Sequence, residues 1–125
     1  MRGGSILLVE DEALVLMDLE TVLAEGGFAV ETCMSGREAV DRLSDSHIAL
    51  VTDIRLGSGA DGWEVARRAR EVNSNIAVVY MSGDTAGEWT ARGVPGSVML
   101  KKPFASAQLV MAVAGLINDA PVEED

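Results

Sequence analysis

Short apolar runs alternate along the chain with longer segments whose apolar residues recur at helical spacing. The first run, Ser5–Val9, lies between two glycines and three acidic residues, which predicts a buried strand. From Glu12 onward the apolar residues recur three and four positions apart until Gly26–Gly27 closes the segment. This second pattern predicts an amphipathic helix that ends at the glycines.

The same two signals predict four further strands and four further helices. The predicted strands are Phe28–Cys33, Ile48–Asp53, Ile76–Met81 and Val98–Leu100. The first of these four predicted helices opens with a capping box at Ser35–Glu38, and the second covers Trp63–Val72. The third is a short helix that opens with a possible capping box at Thr85–Glu88, and the last covers Ala107–Asn118. A glycine inside a helix costs about 1 kcal/mol, so Gly87 makes the fourth helix the weakest.

Strands that alternate with helices across short loops are typical of a parallel sheet with helices on both faces. The predicted strands are continuously apolar, as strands covered on both faces should be. The sequence contains no segment typical of a linker between domains, and no part of it remains for a second domain. We therefore predict one α/β domain over residues 1–125, with a core at 5–118 and a flexible acidic tail at 119–125.

Composition and net charge indicate the cellular compartment of the protein and exclude some kinds of binding partner. Hydrophobic residues make up 48% of the chain and charged residues 24%, which is ordinary for a soluble domain. No apolar run approaches the ~18 residues that span a bilayer, and the N-terminus does not resemble a signal peptide, so we expect a cytoplasmic protein. Cys33 is the single cysteine, which excludes an internal disulfide and a thiolate metal site. The net charge of −10 argues against direct binding to nucleic acid.

Polar side chains directly follow four of the predicted strands. They are Glu10–Glu12 after the first strand, Asp53 at the end of the third, Ser82–Asp84 after the fourth, and Lys101–Pro103 after the fifth. Because the carboxyl ends of parallel strands meet at one edge of a sheet, we expect these groups to lie together. Clustered carboxylates repel one another, and a hard cation such as Mg²⁺ (or Mn²⁺) with oxygen ligands relieves that repulsion.

This set of groups is suited to phosphoryl transfer. Asp53 is a carboxylate that could accept a phosphoryl group covalently, and Asp11 and Asp53 could both bind the metal. The ammonium of Lys102 and the hydroxyl of Ser82 would hold the transferring oxygens, since this chemistry depends mainly on positioning and charge neutralisation.

The same residues resemble the signature of a response-regulator receiver domain of two-component signalling. The matching motifs are VEDE at 9–12, the aspartate at 53, SG at 82–83 and KPF at 102–104, in this order and on successive strand ends. The resemblance covers essentially residues 5–118. It implies a flavodoxin-like, doubly wound fold with a five-stranded parallel sheet in the order 2-1-3-4-5.

The resemblance also implies a role for each matching residue. Asp53 would be the phospho-acceptor, and the metal ligands would be Asp11 with its partner Glu10, Asp53, and the backbone carbonyl of Arg55. Ser82 would be the switch hydroxyl, and Lys102 the lysine that binds the phosphoryl group, with a cis peptide bond to Pro103.

Partners follow from the same resemblance. A histidine kinase or a histidine phosphotransfer protein would supply the phosphoryl group, and a partner protein would bind the face made by the fourth helix, the fifth strand and the fifth helix. The chain would be a stand-alone receiver that catalyses only the phosphorylation and dephosphorylation of its own Asp53. We expect no direct contact with nucleic acid or membrane.

Two positions depart from the usual receiver residues, and two others occupy positions that vary among receivers. Met99 stands where receivers usually carry Tyr or Phe, so we expect output to depend on movement of Ser82–Gly87 without an aromatic gate. Gly57 replaces a usual proline in a loop that is one residue longer than usual, and we expect a more mobile loop. Arg55 and Asp84 stand at positions that tune the lifetime of the phosphoryl group, and we predict an ion pair between them.

Two other functions remain open from the sequence. A pseudo-receiver would bind partners without being switched by phosphorylation. This alternative stays open because Met99 stands where receivers usually carry an aromatic residue. A phosphatase of the haloacid dehalogenase type also uses a strand-end aspartate, but it needs a second acid two residues later, where this chain has Arg55. His47 has no partner histidine or cysteine in the sequence and is predicted to lie on the surface. Trp63, Trp89 and Cys33 are predicted to be packing residues.

Overall fold

Strands and helices alternate throughout residues 4–84 and 86–119, which are the residues that the computed structural model describes. The strands are β1 (Ser5–Val9), β2 (Val30–Cys33), β3 (His47–Asp53), β4 (Ala77–Ser82) and β5 (Val98–Lys101). The helices are α1 (Ala13–Glu25), α2 (Gly36–Arg42), α3 (Gly62–Val72), α4 (Trp89–Arg92) and α5 (Ser106–Asp119), and a 3₁₀ turn at Ala86–Glu88 precedes α4.

The strands form one sheet in the order β2-β1-β3-β4-β5, and every neighbouring pair is parallel. The predicted fold class and strand order are therefore confirmed. β3 is the central strand, and its residues Leu50 and Val51 are fully buried on opposite faces of the sheet. The core on the Leu50 side is completed by α2 and α3, and the core on the Val51 side by α1 and α5.

Element boundaries differ from the predictions by one or two residues, and the differences have local causes. β2 begins at Val30 because the amide of Phe28 still donates to the carbonyl of Leu23 and so belongs to the turn that closes α1. α3 begins at Gly62 because the side chain of Asp61 caps it by accepting from the amide of Glu64. The apolar spacing of this helix predicts that Val72 faces inward with Val65, Ala66 and Ala69, but Val72 is 47% exposed at the end of α3, so that prediction was wrong.

The capping box predicted for α2 is present in a modified form. The Ser35 side chain accepts from the Glu38 amide at 3.0 Å, whereas the Glu38 carboxylate accepts from the amide of Met34, one residue before the cap. One amide of the first turn and the amide that precedes the cap therefore have side-chain partners, and α2 begins where the sequence predicts.

The fourth helix is the least anchored element of the fold. It is a single turn, contributes no buried residue, and has no side-chain cap at Glu88. Thr85, the cap residue that the sequence predicts for this helix, lies outside the described residues. Residues 120–125 of the predicted tail also lie outside them. No helix within residues 4–84 and 86–119 is long and apolar enough to cross a bilayer.

Candidate functional site

The strand register brings the predicted polar groups to one edge of the sheet. Val9 at the end of β1 pairs with Thr52, and Asp53 pairs with Met81 on β4. Ser82 in turn pairs with Lys101 on β5. The residues that follow these strand ends therefore lie around the carboxylate of Asp53.

Three carboxylates form the centre of this edge. Ligand oxygens of Glu10, Asp11 and Asp53 all lie within 4.8 Å of one another. Glu10 is completely buried, Asp53 is half-buried and Asp11 is exposed, so the cluster faces solvent on one side only. Oxygen ligands at this spacing, open to water on one side, suit a small divalent cation that keeps part of its hydration shell.

Lys102 bridges two of these carboxylates. Its Nζ donates to Oδ2 of Asp53 at 3.0 Å and to Oε1 of Glu10 at 3.3 Å. Burial alone would lower the pKa of Lys102, but the hydrogen bond to Asp53 and the charges of both carboxylates outweigh it and raise that pKa. The site therefore holds a fixed positive charge beside the Asp53 carboxylate.

Glu10 is a buried acid with a raised pKa. Burial, followed by the charge of Asp53, raises its pKa from 4.5 to about 6. The amide of Glu12 donates to Oε2 of Glu10 at 3.1 Å, and this bond, like the Lys102 ammonium, opposes the rise in the pKa. A second cation would favour the charged form of Glu10 and relieve its repulsion with Asp53.

Ser82 and Lys102 are connected through the main chain. Ser82 is 2% exposed, its Oγ accepts from the amide of Asp84 at 3.2 Å, and its carbonyl accepts from the amide of Lys102 at 2.8 Å. The peptide bond between Lys102 and Pro103 is cis, as expected. Lys101 is exposed, so Lys102 is the lysine that enters the site.

An ion pair lies at the mouth of the site. Nη2 of Arg55 is 3.2 Å from Oδ2 of Asp84, and Nε donates to Oδ1 at 3.3 Å. The predicted Arg55–Asp84 pair is thus present, with both side chains more than half exposed. It joins the segment after β3 to the segment after β4.

The loop after Arg55 takes a path that proline would not allow. Gly57 has φ +75° and Gly59 has φ +90°, both in the left-handed region that glycine adopts without strain. Proline is restricted to φ near −65°, so the usual residue could not stand at position 57 in this conformation. A Cβ built on Gly57 would lie 3.8 Å from Oδ2 of Asp11, so the loop passes beside the carboxylate cluster.

Met99 on β5 packs against the core cluster that contains an aromatic pair, Trp63 and Tyr80, which no sequence pattern predicts. It pairs in register with Tyr80, whose ring is 4.7 Å from that of Trp63. The Tyr80 hydroxyl accepts from the amide of Val94 after α4, and the Arg92 guanidinium lies 5.5 Å from the Trp63 ring. No short-range pattern links these positions, because the contacts join residues of α3, β4, α4 and β5.

His47 is buried, and its predicted surface position was wrong. It begins β3 and is 1% exposed. Its Nδ1 accepts from the amide of Ser44, so the ring proton resides on Nε2, which lies 2.8 Å from Oε1 of Glu31 on β2. This hydrogen bond is the main reason that the pKa of Glu31 is lowered. The contact lies at the opposite end of β3 from Asp53 and supports the fold.

Of the three residues predicted to be packing residues, two lie in the core and one is partly exposed. Trp63 is 1% exposed and Cys33 is buried on β2, which confirms both as core residues. Trp89 is 36% exposed on α4, and its Nε1 donates to Oγ of Ser97. It therefore presents part of its ring at the surface.

Comparisons with known proteins agree with this geometry. The sequence matches the family described as the response regulator receiver domain over residues 6–114. It is 32% identical over 116 residues to the response regulator MprA of Mycolicibacterium vanbaalenii, covering 90% of this chain and 50% of that protein. The chain thus spans about half the length of the curated relatives it matches.

Two solved structures are also similar. A response regulator receiver protein from Sinorhizobium medicae superposes with a TM-score of 0.90 at 46% identity, covering 94% of this chain and 96% of that one. The receiver domain of a sensor histidine kinase from Pseudomonas aeruginosa superposes with a TM-score of 0.78 at 26% identity, covering 94% of this chain and 99% of that one. That structure has a magnesium ion coordinated in its active-site cleft.

Proposed function

The chain belongs to the response regulator receiver domain family, and from this membership we propose that Asp53 accepts a phosphoryl group in a two-component phosphorelay. The observation that carries the proposal is the 3.0 Å contact between Lys102 Nζ and Asp53 Oδ2 within a cluster of three carboxylates. A lysine fixed beside a half-buried carboxylate can hold an oxygen of a phosphoryl group that arrives on that carboxylate.

The transfer balances with the groups at this edge of the sheet. An oxygen of Asp53 forms a bond to phosphorus while the bond from phosphorus to the imidazole nitrogen of a phosphohistidine donor breaks, and the electron pair stays on that nitrogen. Lys102 and the Ser82 hydroxyl hold the phosphoryl oxygens in the product. Attack of water on phosphorus later returns the carboxylate and releases phosphate.

The acidic cluster fits a resident Mg²⁺, with Mn²⁺ as the alternative. Glu10, Asp11 and Asp53 would hold it, with the Arg55 carbonyl as a further oxygen ligand. The bound cation would neutralise negative charge on the phosphoryl oxygens. Its own charge would also lower the pKa of Glu10, which otherwise stays partly protonated near pH 6.

Partners are proposed on the same basis. The donor would be a histidine kinase or a histidine phosphotransfer protein, and the output partner would bind the output face, which is made by α4, β5 and α5. The weakly anchored α4 supports this placement, since it starts seven residues after the switch hydroxyl of Ser82 and buries no side chain. We further propose that the chain acts on no external substrate and turns over only its own Asp53.

Incubation with Mg²⁺ and phosphoramidate, followed by intact-mass spectrometry, tests the proposal. We expect wild type to gain the mass of one phosphoryl group with Mg²⁺ and to gain none with EDTA. Asp53→Asn should gain none under either condition. A mass gain that persists in Asp53→Asn would refute the assignment, and a pseudo-receiver would gain no mass in any of these samples.

A further inference from the structure

Thr52 directly precedes the proposed acceptor and has no exposed surface. Successive side chains of a strand point to opposite faces, and the flanking Leu50 and Ile54 belong to the core on the α2 and α3 side. The Thr52 side chain therefore lies in that core, on the opposite face of the sheet from the Asp53 carboxylate. It does not belong to the groups that surround the phosphoryl site.

The Thr52 hydroxyl has a specific partner in the acceptor residue. Its Oγ1 donates to the backbone carbonyl of Asp53 at 2.8 Å. A buried hydroxyl in a parallel strand costs free energy unless it is hydrogen-bonded, and an apolar residue is the usual occupant of such a position. The Thr52 hydroxyl is thus satisfied by a hydrogen bond to the main chain of Asp53.

Other contacts hold this peptide group and the next one from different directions. The amide of Ile54 donates to the carbonyl of Met81 on β4 at 3.1 Å, and the carbonyl of Ile54 accepts from the amide of Gly62 at 2.8 Å. A Cβ on Gly62 would collide with the carbonyl oxygen of Asp53, so the start of α3 rests directly against it. The peptide between Asp53 and Ile54 is therefore held by β4, by α3 and by Thr52.

We propose that Thr52 is a positioning residue for phosphoryl transfer and acts through the Asp53 carbonyl. Its hydroxyl fixes the rotation of the Asp53–Ile54 peptide, which sets the direction in which the Asp53 side chain leaves the strand. The reacting atoms must approach within a few tenths of an ångström of the productive geometry, and a ~1 Å misplacement can cost ~100-fold in rate. This inference rests on the proposed function of Asp53.

Two substitutions separate the hydroxyl from the methyl group of Thr52. Thr52→Val keeps the shape and removes the hydroxyl, whereas Thr52→Ser keeps the hydroxyl and removes the methyl group. We expect Thr52→Val to lower the maximal rate of phosphorylation by phosphoramidate roughly tenfold and to leave the half-saturating donor concentration unchanged. Thr52→Ser should stay within about twofold of wild type. The reverse order of the two variants would mean that Thr52 contributes packing only and would overturn the proposal.

A second readout does not depend on the reaction. Asp53–Ile54 is the only Asp-Ile pair in the chain, so ¹³C-carbonyl aspartate with ¹⁵N isoleucine gives a single cross-peak for this peptide. We expect that peak to move in Thr52→Val and to stay near its wild-type position in Thr52→Ser. An unmoved peak in Thr52→Val would contradict the proposal. If Thr52→Val does not fold, Thr52→Ala removes the same hydroxyl and takes its place.

The outcomes distinguish this inference from the proposed function. If wild type gains no phosphoryl group, or Asp53→Asn gains one, the proposed function fails, and the inference with it. If wild type and Thr52→Val react at equal rates while Asp53→Asn stays unlabelled, only the inference about Thr52 fails.

Discussion

The Nζ of Lys102 lies 3.0 Å from Oδ2 of Asp53, and these two residues are joined through space although β4 and β5 separate them in the chain. The lysine enters from the end of β5 and also contacts the buried Glu10 at the end of β1. One ammonium group thus forms ion pairs with two acids from two different strand ends and leaves a net negative charge among the three groups.

Loss of this ammonium group should slow the reaction at Asp53. We expect Lys102→Met to lower the rate of phosphorylation by phosphoramidate about 100-fold, because removing one preorganised charge from the phosphoryl oxygens costs that order of magnitude. Lys101→Met is the matched control, since Lys101 is the exposed neighbour and makes no ion pair among the described residues. Equal rates in Lys102→Met and Lys101→Met would exclude the role given to Lys102.

The raised pKa of Glu10 predicts a pH-dependent stability. Between 4.5 and about 6 the folded protein holds a proton on Glu10 that the unfolded chain has released, so the free energy of unfolding falls as pH rises through this window. The difference corresponds to about 2 kcal/mol. Urea denaturation without divalent cations at pH 4.5 and pH 7 measures it, and Glu10→Gln should remove this part of the decrease. Parallel pH profiles for the two proteins would contradict the prediction.

The Arg55–Asp84 pair should govern how long the phosphoryl group persists. Both side chains are largely exposed, so we expect Arg55→Ala to change the free energy of unfolding by less than about 0.5 kcal/mol. We expect the pair to shield the phosphoryl group from water, so the same variant should lose that group severalfold faster. The decay of the phosphorylated mass after removal of the donor measures this rate. Arg68→Ala, which alters an exposed arginine near Glu71, is the control. Equal decay rates in wild type, Arg55→Ala and Arg68→Ala would contradict a shielding role for the Arg55–Asp84 pair.

Met99 should not act as a gate for the output face. We expect phosphorylation to shift the amide NMR signals of residues 83, 84 and 86–100, because α4 is weakly anchored and follows the Ser82 segment. Met99→Leu keeps an apolar side chain of similar volume and should show the same shifts. Loss of the shifts in Met99→Leu would assign a switching role to Met99, and unchanged signals in wild type would exclude transmission through this segment.

The sequence predicts the site better than it predicts the edges of the fold. Glu10, Asp53, Ser82 and Lys102 could be placed together because each follows a predicted strand, and parallel strand ends must meet. His47 was misplaced because its partner Glu31 lies 16 residues earlier on β2, with β1 between the two strands. A polar residue at a strand start looks exposed until such a partner is known.

Other features depend on contacts that no local pattern encodes. The positioning role proposed for Thr52 depends on the hydrogen bond from its hydroxyl to the Asp53 carbonyl and on the close approach of Gly62 to the same carbonyl. The Tyr80 hydroxyl likewise has its partner, the Val94 amide, 14 residues later. Secondary structure follows from periodicity, whereas these contacts follow from tertiary packing.

The acyl phosphate itself offers the most direct measurement. Borohydride reduces an aspartyl phosphate to homoserine, so treatment of the phosphorylated protein, proteolysis and peptide mass spectrometry identify the acceptor residue. We expect homoserine at position 53 in wild type treated with Mg²⁺ and phosphoramidate, and no reduced side chain at Glu10, Asp11 or Asp84. A reduced residue at any position other than 53, or an incorporated phosphoryl group that borohydride does not convert, would contradict the account.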